Sequence, residues 1–396
     1  MSEGIAAKSH PVEWAATPAL FTNGCLVETQ PLTAALAREW HGLEIQSANA
    51  TVFQSSAWCR AWLKASAKAG FTEETRILIV RRGGRPVLLW PLAVRRAGPC
   101  RVLHALGEPA TQYCDALVAR EEHCGRLLDA AWSAIRSWRD IDLIEMRRVR
   151  TNATIAALPA LAKVKAACAT TAPFVDIRLA AGGDAHRSSR TRNALKRHRR
   201  KLAEHGEVSF EIVQDIEAKI RVVDEAVAFK RRWMIERGLW SDGYAHVAAD
   251  EFTRTLAEEP GFRVSRLTVR GETAAVEAGY VMGGAYWSLT QSYDSRFAEH
   301  APGRLLTWQF MEYCAASDVH MLDFLAPAHQ YKREWSTGEV AVCDYLIPLT
   351  IKGSLLAAAL GRARPALKHL YRRMPASVRF YAIRLAGARQ RPVQSY

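Results

Sequence analysis

The sequence predicts an α+β protein in which one unit of helices and strands occurs twice and is followed by a basic helical tail. The tetrapeptide GRLL occurs at Gly125 and again at Gly303, 178 residues later, and each copy precedes a helical pattern and a short strand. At 396 residues the chain is long enough for two domains. Residues 351–396 contain ten Lys or Arg and no Asp or Glu, which marks them as a separate segment.

The first half begins with an irregular lead-in at 1–30, which lacks periodicity, and continues as a predicted domain over 31–168. Spacing of apolar residues distinguishes helices from strands, and glycines mark the turns. In chain order we predict helices at 31–44 and 55–70, strands at 76–82 and 85–94, a loop at 107–118, a helix at 125–138 and a strand at 141–149.

The second half, residues 169–350, repeats this order, which is why we interpret the chain as a duplication. The two halves share helices, hairpin strands, a loop before the GRLL helix, and a short strand. In chain order we predict a basic helix at 188–206, helices at 215–238 and 252–259, strands at 263–270, 273–282 and 285–294, a loop at 296–303, a helix at 304–317 and a strand at 319–327.

Composition and charge argue against several classes of function. The net charge of +14 comes mainly from the tail and from residues 187–201, so a surface coated for nucleic acid is not predicted. The eight cysteines form no CxxC pair and no zinc spacing with histidine, so no metal site is predicted. Without a long apolar run or a signal peptide, a cytoplasmic protein is expected.

The turn before the second GRLL helix predicts an anion site. Pro302 and Gly303 let the backbone turn closely, and the first amides of a helix, its dipole and the charge of Arg304 attract anions such as a pyrophosphate. Further on, Asp323 lies near the C-terminal end of a predicted strand, and polar groups gather at such strand ends. The alternative is that Asp323 caps a turn and that the basic residues after it are solvated.

Two stretches, YDSRFAEHAPGRLL at 293–306 and DFLAPAHQYKREW at 323–335, resemble the GNAT-like acetyltransferase family of the CelD/BioF2 type. The basic helix and FKRRWMIERG at 229–238 fit the same family. The resemblance covers 170–350 well and 50–150 loosely. Fem-type aminoacyltransferases, which are relatives, contain two such folds. The resemblance therefore implies tandem GNAT-like folds, each with a mixed central sheet flanked by helices.

The resemblance implies acetyl-CoA or another acyl-CoA as co-substrate and no metal. Tyr331 could protonate the leaving thiolate, and Asp323 could accept the proton of the nucleophile or orient Lys332. Adjacent acids before the first GRLL helix, Glu121 and Glu122, predict that the donor binds only the second domain. The predicted donor contacts are Tyr293, His300, Ala301, Pro302, Gly303, Arg304 and Leu305. The predicted substrate or anion contacts are Arg192, Lys196, Arg200 and Trp335.

We expect an N- or O-acyltransferase that serves polysaccharide or envelope-precursor synthesis, such as cellulose synthesis. One alternative is a Fem-type aminoacyltransferase that uses aminoacyl-tRNA, with RNA on the basic helix. Another is a degenerate membrane-associated partner of a polysaccharide synthase, because Ala326-Pro327-Ala328 stands where the family often has Arg-Gly-Asp. Predicted basic amphipathic helices at 364–374 and 377–385 could lie on the inner face of a membrane or pack on the parent domain.

Overall fold

The structure, a computed structural model, describes residues 19–22, 24–120, 122–164, 166–179 and 189–374. Its strands are β1 Leu20–Thr22, β2 Cys25–Gln30, β3 Glu74–Arg82, β4 Arg85–Ala97, β5 Cys100–Ala105, β6 Leu117–Val118, β7 Leu143–Arg150, β8 Ala167–Asp176, β9 Val208–Val213, β10 Phe262–Val269, β11 Glu272–Met282, β12 Ala285–Tyr293, β13 Met321–Asp323 and β14 Gly338–Pro348. Its helices are α1 Ala34–Gln46, α2 Ser56–Lys68, α3 Cys124–Ser137, α4 Pro159–Ala162, α5 Ser189–Ala203, α6 Ile216–Glu236, α7 Asp242–Ala245, α8 Ala249–Ala257, α9 Pro302–Ala315, α10 Gln330–Arg333 and α11 Ile351–Arg373.

One mixed sheet runs through both halves of the chain. Its order is β1-β2-β3-β4-β5-β7-β14-β8-β13-β12-β11-β10-β9, and β6 pairs with β4. Strand β14 of the second half pairs antiparallel with β7 of the first half and with β8 on its other side. The predicted domain boundary at 168/169 falls inside β8 and stays a prediction, since the sheet continues across it.

The two halves repeat one connection. Strands β5 and β7 are parallel neighbours connected by way of α3, and β12 and β13 are parallel neighbours connected through α9. Parallel neighbours require a crossover of this kind. The two GRLL words begin in the first turns of α3 and α9. The predicted fold class, tandem GNAT-like α+β units with a mixed sheet flanked by helices, is confirmed.

Helices cover both faces of the sheet, because alternate strand residues point to opposite sides. Helices α1, α2, α6 and α8 share one core, in which the rings of Trp62 and Phe252 lie 5.3 Å apart and join the two halves. On the opposite face, Leu128 of α3 packs in the first half, and Leu195 of α5 and Phe310 of α9 pack in the second.

Two sequence predictions were wrong: the irregular lead-in up to residue 30 and the length of the strand at 319–327. The end of the lead-in forms a hairpin, β1–β2, which pairs with β3 because Cys25 and Val27 alternate into the core. Residues 1–18 lie outside the described residues. The strand expected at 319–327 is reduced to β13, since Leu325 adopts φ 60°, which a strand does not allow.

The tail helix also differs from its prediction. Helix α11 begins at Ile351, ahead of the expected start near Pro365, because the Ala- and Leu-rich residues before that proline pack on β14, β7 and β5. The segment predicted as helical at 377–385 lies outside the described residues. Of the helices that are described, none combines the length and the apolar character needed to cross a bilayer.

Candidate active site

Strands β12 and β13 separate in the middle of the second half. Their parallel pairing ends at Trp287↔Asp323, whereas β12 continues to Tyr293. A bulge at Leu289, where the register against β11 shifts, bends β12 further. Pairing of β12 with β13 is described only up to Trp287, so the edge at 288–293 can accept an extended ligand.

The turn before α9 is where the anion cradle is predicted. Ala301 adopts φ 50° and ψ 49°, Pro302 is the first helical residue, and the amide of Arg304 donates to the Ala301 carbonyl at 3.0 Å. A Cβ on Gly303 would lie 3.6 Å from Cδ1 of Tyr293, an ordinary contact. Packing within the protein therefore does not explain a glycine here, whereas a close ligand would.

Side chains of the other predicted donor residues lie at the rim of this turn or beneath it. Nε2 of His300 lies 2.9 Å from Nε2 of His205, which follows α5. The Arg304 guanidinium lies 2.9 Å from the Glu334 carboxylate, so part of its charge is already balanced. Leu305 is buried in the core, and only its backbone faces the turn.

A small cavity of about 200 Å³ opens beside this turn, between the end of α6 and the end of β12. Tyr293, a predicted donor residue, lines this cavity together with basic and aromatic side chains of α6. The resemblance included their stretch, FKRRWMIERG, but named none of them as a site residue. The lining residues are Phe229, Arg232, Trp233, Glu236, Arg237, Tyr293, Ser295 and Ala298.

Asp323 is fully buried, at 0% exposure, and its carboxylate has three donors. Tyr113 donates its hydroxyl at 2.9 Å, the Leu325 amide donates at 2.8 Å, and Arg150 at the end of β7 makes a short ion pair. The Arg150 guanidinium also lies 5.0 Å from the centre of the Tyr113 ring. Because its carboxylate has three donors and no exposure to solvent, Asp323 is arranged as a structural group that connects the two halves.

Glu277, in the middle of β11, lies at the strand separation. Its Oε1 accepts hydrogen bonds from Ser288 Oγ at 2.6 Å and from the Tyr286 hydroxyl at 3.1 Å. Burial raises the pKa of Glu277 to about 7, although the two hydrogen bonds and the charges of Lys332 and Lys230 lower it. A carboxyl group that titrates near neutrality is suited to general base catalysis.

Two more groups reach the separation from α6 and α7. Lys230 Nζ donates to the Gln291 carbonyl at 3.3 Å, and the Tyr244 hydroxyl lies 2.9 Å from Thr290 Oγ1. The sequence predictions named neither of these groups nor Glu277. The signal was present, since residues 274–279 of β11 are apolar apart from Glu277, and a charged group is costly to bury.

Tyr331 and Lys332, both predicted as catalytic, lie on α10 beside the separation but differ in access. Tyr331 is 37% exposed, and burial of its hydroxyl with the charge of Glu277 raises its pKa. Lys332 is buried, and its Nζ donates to the Leu325 carbonyl at 2.9 Å. Burial and the charge of Lys230 lower the pKa of Lys332 to about 8.

The four predicted substrate or anion contacts differ in their exposure to solvent. Trp335 is 2% exposed and belongs to the hydrophobic core of the second half, so its burial does not support the predicted contact with substrate, which stays a prediction. The Trp335 ring fills part of that core. Lys196 and Arg200 are exposed on α5, whereas Arg192 is half-buried on the same helix.

The corresponding separation in the first half is filled by protein. Beyond the paired part of β5 and β7, the Arg148 guanidinium donates to the carbonyl of Thr111 at 2.5 Å, in the loop after β5. Glu122, one of the two acids expected to repel a donor, pairs with Arg82. Glu121 lies outside the described residues. The expectation that the donor binds only the second half stays a prediction. The contact between Arg148 and Thr111 supports it, because it occupies the corresponding space in the first half.

Comparisons with known proteins agree with this fold. Residues 189–333 match the family described as Acetyltransferase (GNAT) domain. The FemX crystal structure is 12% identical, with a TM-score of 0.57 over 84% of this chain and 99% of that one. A conserved protein of unknown function from Bacteroides thetaiotaomicron is also 12% identical, with a TM-score of 0.50 over 81% and 99%. No curated protein matches the chain significantly.

A third similar structure is the C-terminal domain of a candidate lysylphosphatidylglycerol synthetase from Agrobacterium fabrum, 10% identical, with a TM-score of 0.50 over 83% of this chain and 96% of that one. At such identities structural likeness establishes the fold alone. Within the described residues no group of three or more His, Cys, Asp or Glu side chains could hold a metal. The match over residues 189–333 indicates that the protein is an acyltransferase with a GNAT-type domain in this region.

Proposed function

We propose that the protein transfers an acyl group directly from acyl-CoA to an amine or hydroxyl, and that the donor binds the second domain. The main support is the open edge of β12, which leads from the turn before α9 to Glu277. A donor arm along 288–293 would have its phosphates at the first amides of α9. Calorimetric titration with acetyl-CoA is expected to show micromolar binding that free CoA displaces. Absence of saturable binding would contradict the proposal.

In the proposed reaction, the amine nitrogen or hydroxyl oxygen of the acceptor attacks the thioester carbonyl carbon. Glu277 accepts the proton that this nucleophile loses. The new C–N or C–O bond forms, the C–S bond breaks, and the Tyr331 hydroxyl gives a proton to the leaving thiolate. Solvent then returns the proton from Glu277 to Tyr331. Asp323 and Lys332 act as positioning residues, because their hydrogen bonds hold the backbone at Leu325. Positioning supplies the remaining acceleration.

We further propose a polysaccharide or envelope precursor as acceptor. A groove of about 1010 Å³ lies between α1, α2 and the β10–β11 region. Its lining includes Arg38, Ser56, Arg60 and Tyr280, which offer hydrogen bonds to sugar hydroxyls or phosphates. Mass spectrometry of reactions with amino sugars, nucleotide sugars and lipid-linked sugars tests this choice. An acyl product on none of these classes would contradict it.

We propose two alternative functions, and each is supported by one observation. The exposed cations of α5 would suit an aminoacyl-tRNA donor, as in a Fem-type enzyme, and binding of tRNA would then weaken steeply with salt. The tail helix α11 exposes Ile351, Leu355, Leu367 and Leu370 beside basic residues, which supports contact with an anionic membrane. Liposome binding that is lost when residues 351–396 are removed tests that contact.

Gly303→Ala is expected to weaken acetyl-CoA binding about 10-fold or more, because the added methyl would occupy the space that a phosphate approaches. The melting temperature should change little, because the Cβ meets only an ordinary contact. Calorimetry measures the affinity. Gly125→Ala is the matched control, since this glycine begins the other GRLL word and has open space around it. Equal effects of the two substitutions would contradict the donor site.

Tyr331→Phe is expected to lower kcat about 10- to 100-fold while the Kd of acetyl-CoA stays the same, because only the proton for the leaving thiolate is removed. Single-turnover kinetics separate this step from binding. Tyr345→Phe is a suitable control, since that tyrosine lies on β14 next to β7, away from the separation. An unchanged chemical step in Tyr331→Phe would assign proton donation to another group.

A further inference from the structure

We propose that the outward face of α5 docks an acidic carrier protein, which delivers the acyl group as a thioester on a phosphopantetheine arm. This inference rests on the proposed function, because such an arm shares its phosphate, pantetheine and thioester with acyl-CoA. The bonds that form and break are those of the reaction above, with the carrier's arm leaving as the thiol. The carrier would replace the nucleotide part of CoA as the source of binding energy.

The first support is a row of cations on α5 that have no acidic partner among the described residues. Several basic side chains elsewhere on the described surface pair with acids, as Arg254 does with Asp224 at 2.9 Å and Arg296 with Glu272 at 2.9 Å. None of the six exposed cations of α5 takes part in an ion pair between described residues. The exposed cations are Arg190, Lys196, Arg197, Arg199, Arg200 and Lys201.

The second support is the arrangement of this charge on one side of the helix. Leu195 and Leu202 are buried against α9 and neighbouring strands. Arg190, Arg197 and Lys201 are spaced by seven and four residues, so they form a stripe on the side away from those leucines. Repulsion among them disfavours this arrangement unless an anionic surface covers it. We call these three residues the α5 stripe.

The third support is the position of α5 at the entrance to the donor site. The helix packs on α9 and on the 3-10 turn Ser295–His300, whose Ser295 and Ala298 line the small cavity. His205, just beyond the helix, touches His300 at the turn before α9. A carrier seated on the α5 stripe would therefore release its arm next to the amides that hold the phosphate.

A protein partner fits this surface better than RNA does. Helix α5 contains no Phe, Tyr or Trp, whereas recognition of single-stranded RNA depends strongly on aromatic stacking. The stripe lies on the exposed side of one helix, which suits ion pairs with an acidic helix of a partner. Complementary charge of this kind speeds encounter and fixes orientation.

The test measures binding of acetylated, acidic holo acyl carrier protein to the full chain, beside its apo form, bulk tRNA and acetyl-CoA. The variant reverses the α5 stripe with Arg190→Glu, Arg197→Glu and Lys201→Glu. The control makes the same charge change on and next to α3 with Arg126→Glu, Arg136→Glu and Arg139→Glu, which are also exposed. Melting temperatures and circular dichroism confirm that both variants are folded.

We expect the stripe variant to weaken carrier binding about 10-fold or more and the control to change it less than about twofold. The Kd of acetyl-CoA should stay the same in both. If acetyl-CoA binds but the carrier does not, this inference fails and the proposed function stands. If neither donor binds, both fail. Stripe-dependent binding of tRNA without carrier binding, or an equal loss in the control, would also overturn the inference.

Discussion

Glu277→Gln is expected to lower kcat about 100- to 10,000-fold while the Kd of acetyl-CoA is unchanged, because the base that accepts the nucleophile's proton is lost. In the wild type, kcat/KM should rise with pH through about 7 and then level off, since Glu277 must be deprotonated to act and its pKa is raised to about 7 by burial. The variant should lack this acidic limb. Full activity with the limb retained would exclude Glu277 as the base.

Stability measurements distinguish loss of a base from loss of the fold. Because the pKa of Glu277 is raised from 4.5 to about 7 in the folded state, the folded protein binds this proton more tightly, and stability falls as pH rises through that window. Above pH 7 the ionised Glu277 lowers the free energy of unfolding by about 3 kcal/mol, since each unit of pKa difference between the folded and unfolded states corresponds to about 1.4 kcal/mol. Glu277→Gln should therefore be at least as stable as the wild type at pH 8, where urea unfolding tests it.

Glu108→Gln is the matched control for this experiment. Burial also raises the pKa of Glu108 to about 7, but this acid lies in the first half, where its nearest described cation is Arg147 at 3.6 Å. We expect its substitution to leave turnover within about twofold of wild type, since the donor is proposed to bind only the second half. A large loss of turnover in Glu108→Gln would show that removal of any buried acid harms the enzyme.

Asp323→Asn is expected to lower the free energy of unfolding by about 3–5 kcal/mol, because it leaves the buried guanidinium of Arg150 without a counter-charge. Equilibrium unfolding in urea measures the loss. Adding Arg150→Met to this variant should restore most of it, since the unpaired charge is then gone. Asparagine can still accept the hydrogen bonds from Tyr113 and Leu325, so packing changes little.

The opposite outcome would restore a chemical role to Asp323. If Asp323→Asn unfolds like the wild type but turns over about 100-fold more slowly, its carboxylate acts on the substrate and the geometry described above is incomplete. A double-mutant cycle with Arg150 separates the pair's coupling from the effect of each single change. Additivity of the two substitutions would contradict a direct ion pair.

Local pattern predicted much of the fold and part of the site. The GRLL words and the elements around them predicted the duplication, and the Pro302–Gly303 turn with its helix was found where expected. Elements paired over long distances were missed, among them β9 and β14. Neighbours in sequence determine helical periodicity and turns, whereas the pairing partner of a strand depends on residues far along the chain.

The sequence by itself determined the two repeated units, the turn that begins α9 and the concentration of charge on α5. Only the tertiary structure decided that Asp323 is neutralised by Arg150, 173 residues away, that Trp335 fills a core, and that Glu277 meets Ser288 at the strand separation. The physical reason is that hydrogen bonds and burial set the chemistry of an ionisable group, and both depend on which distant strands the sheet brings together.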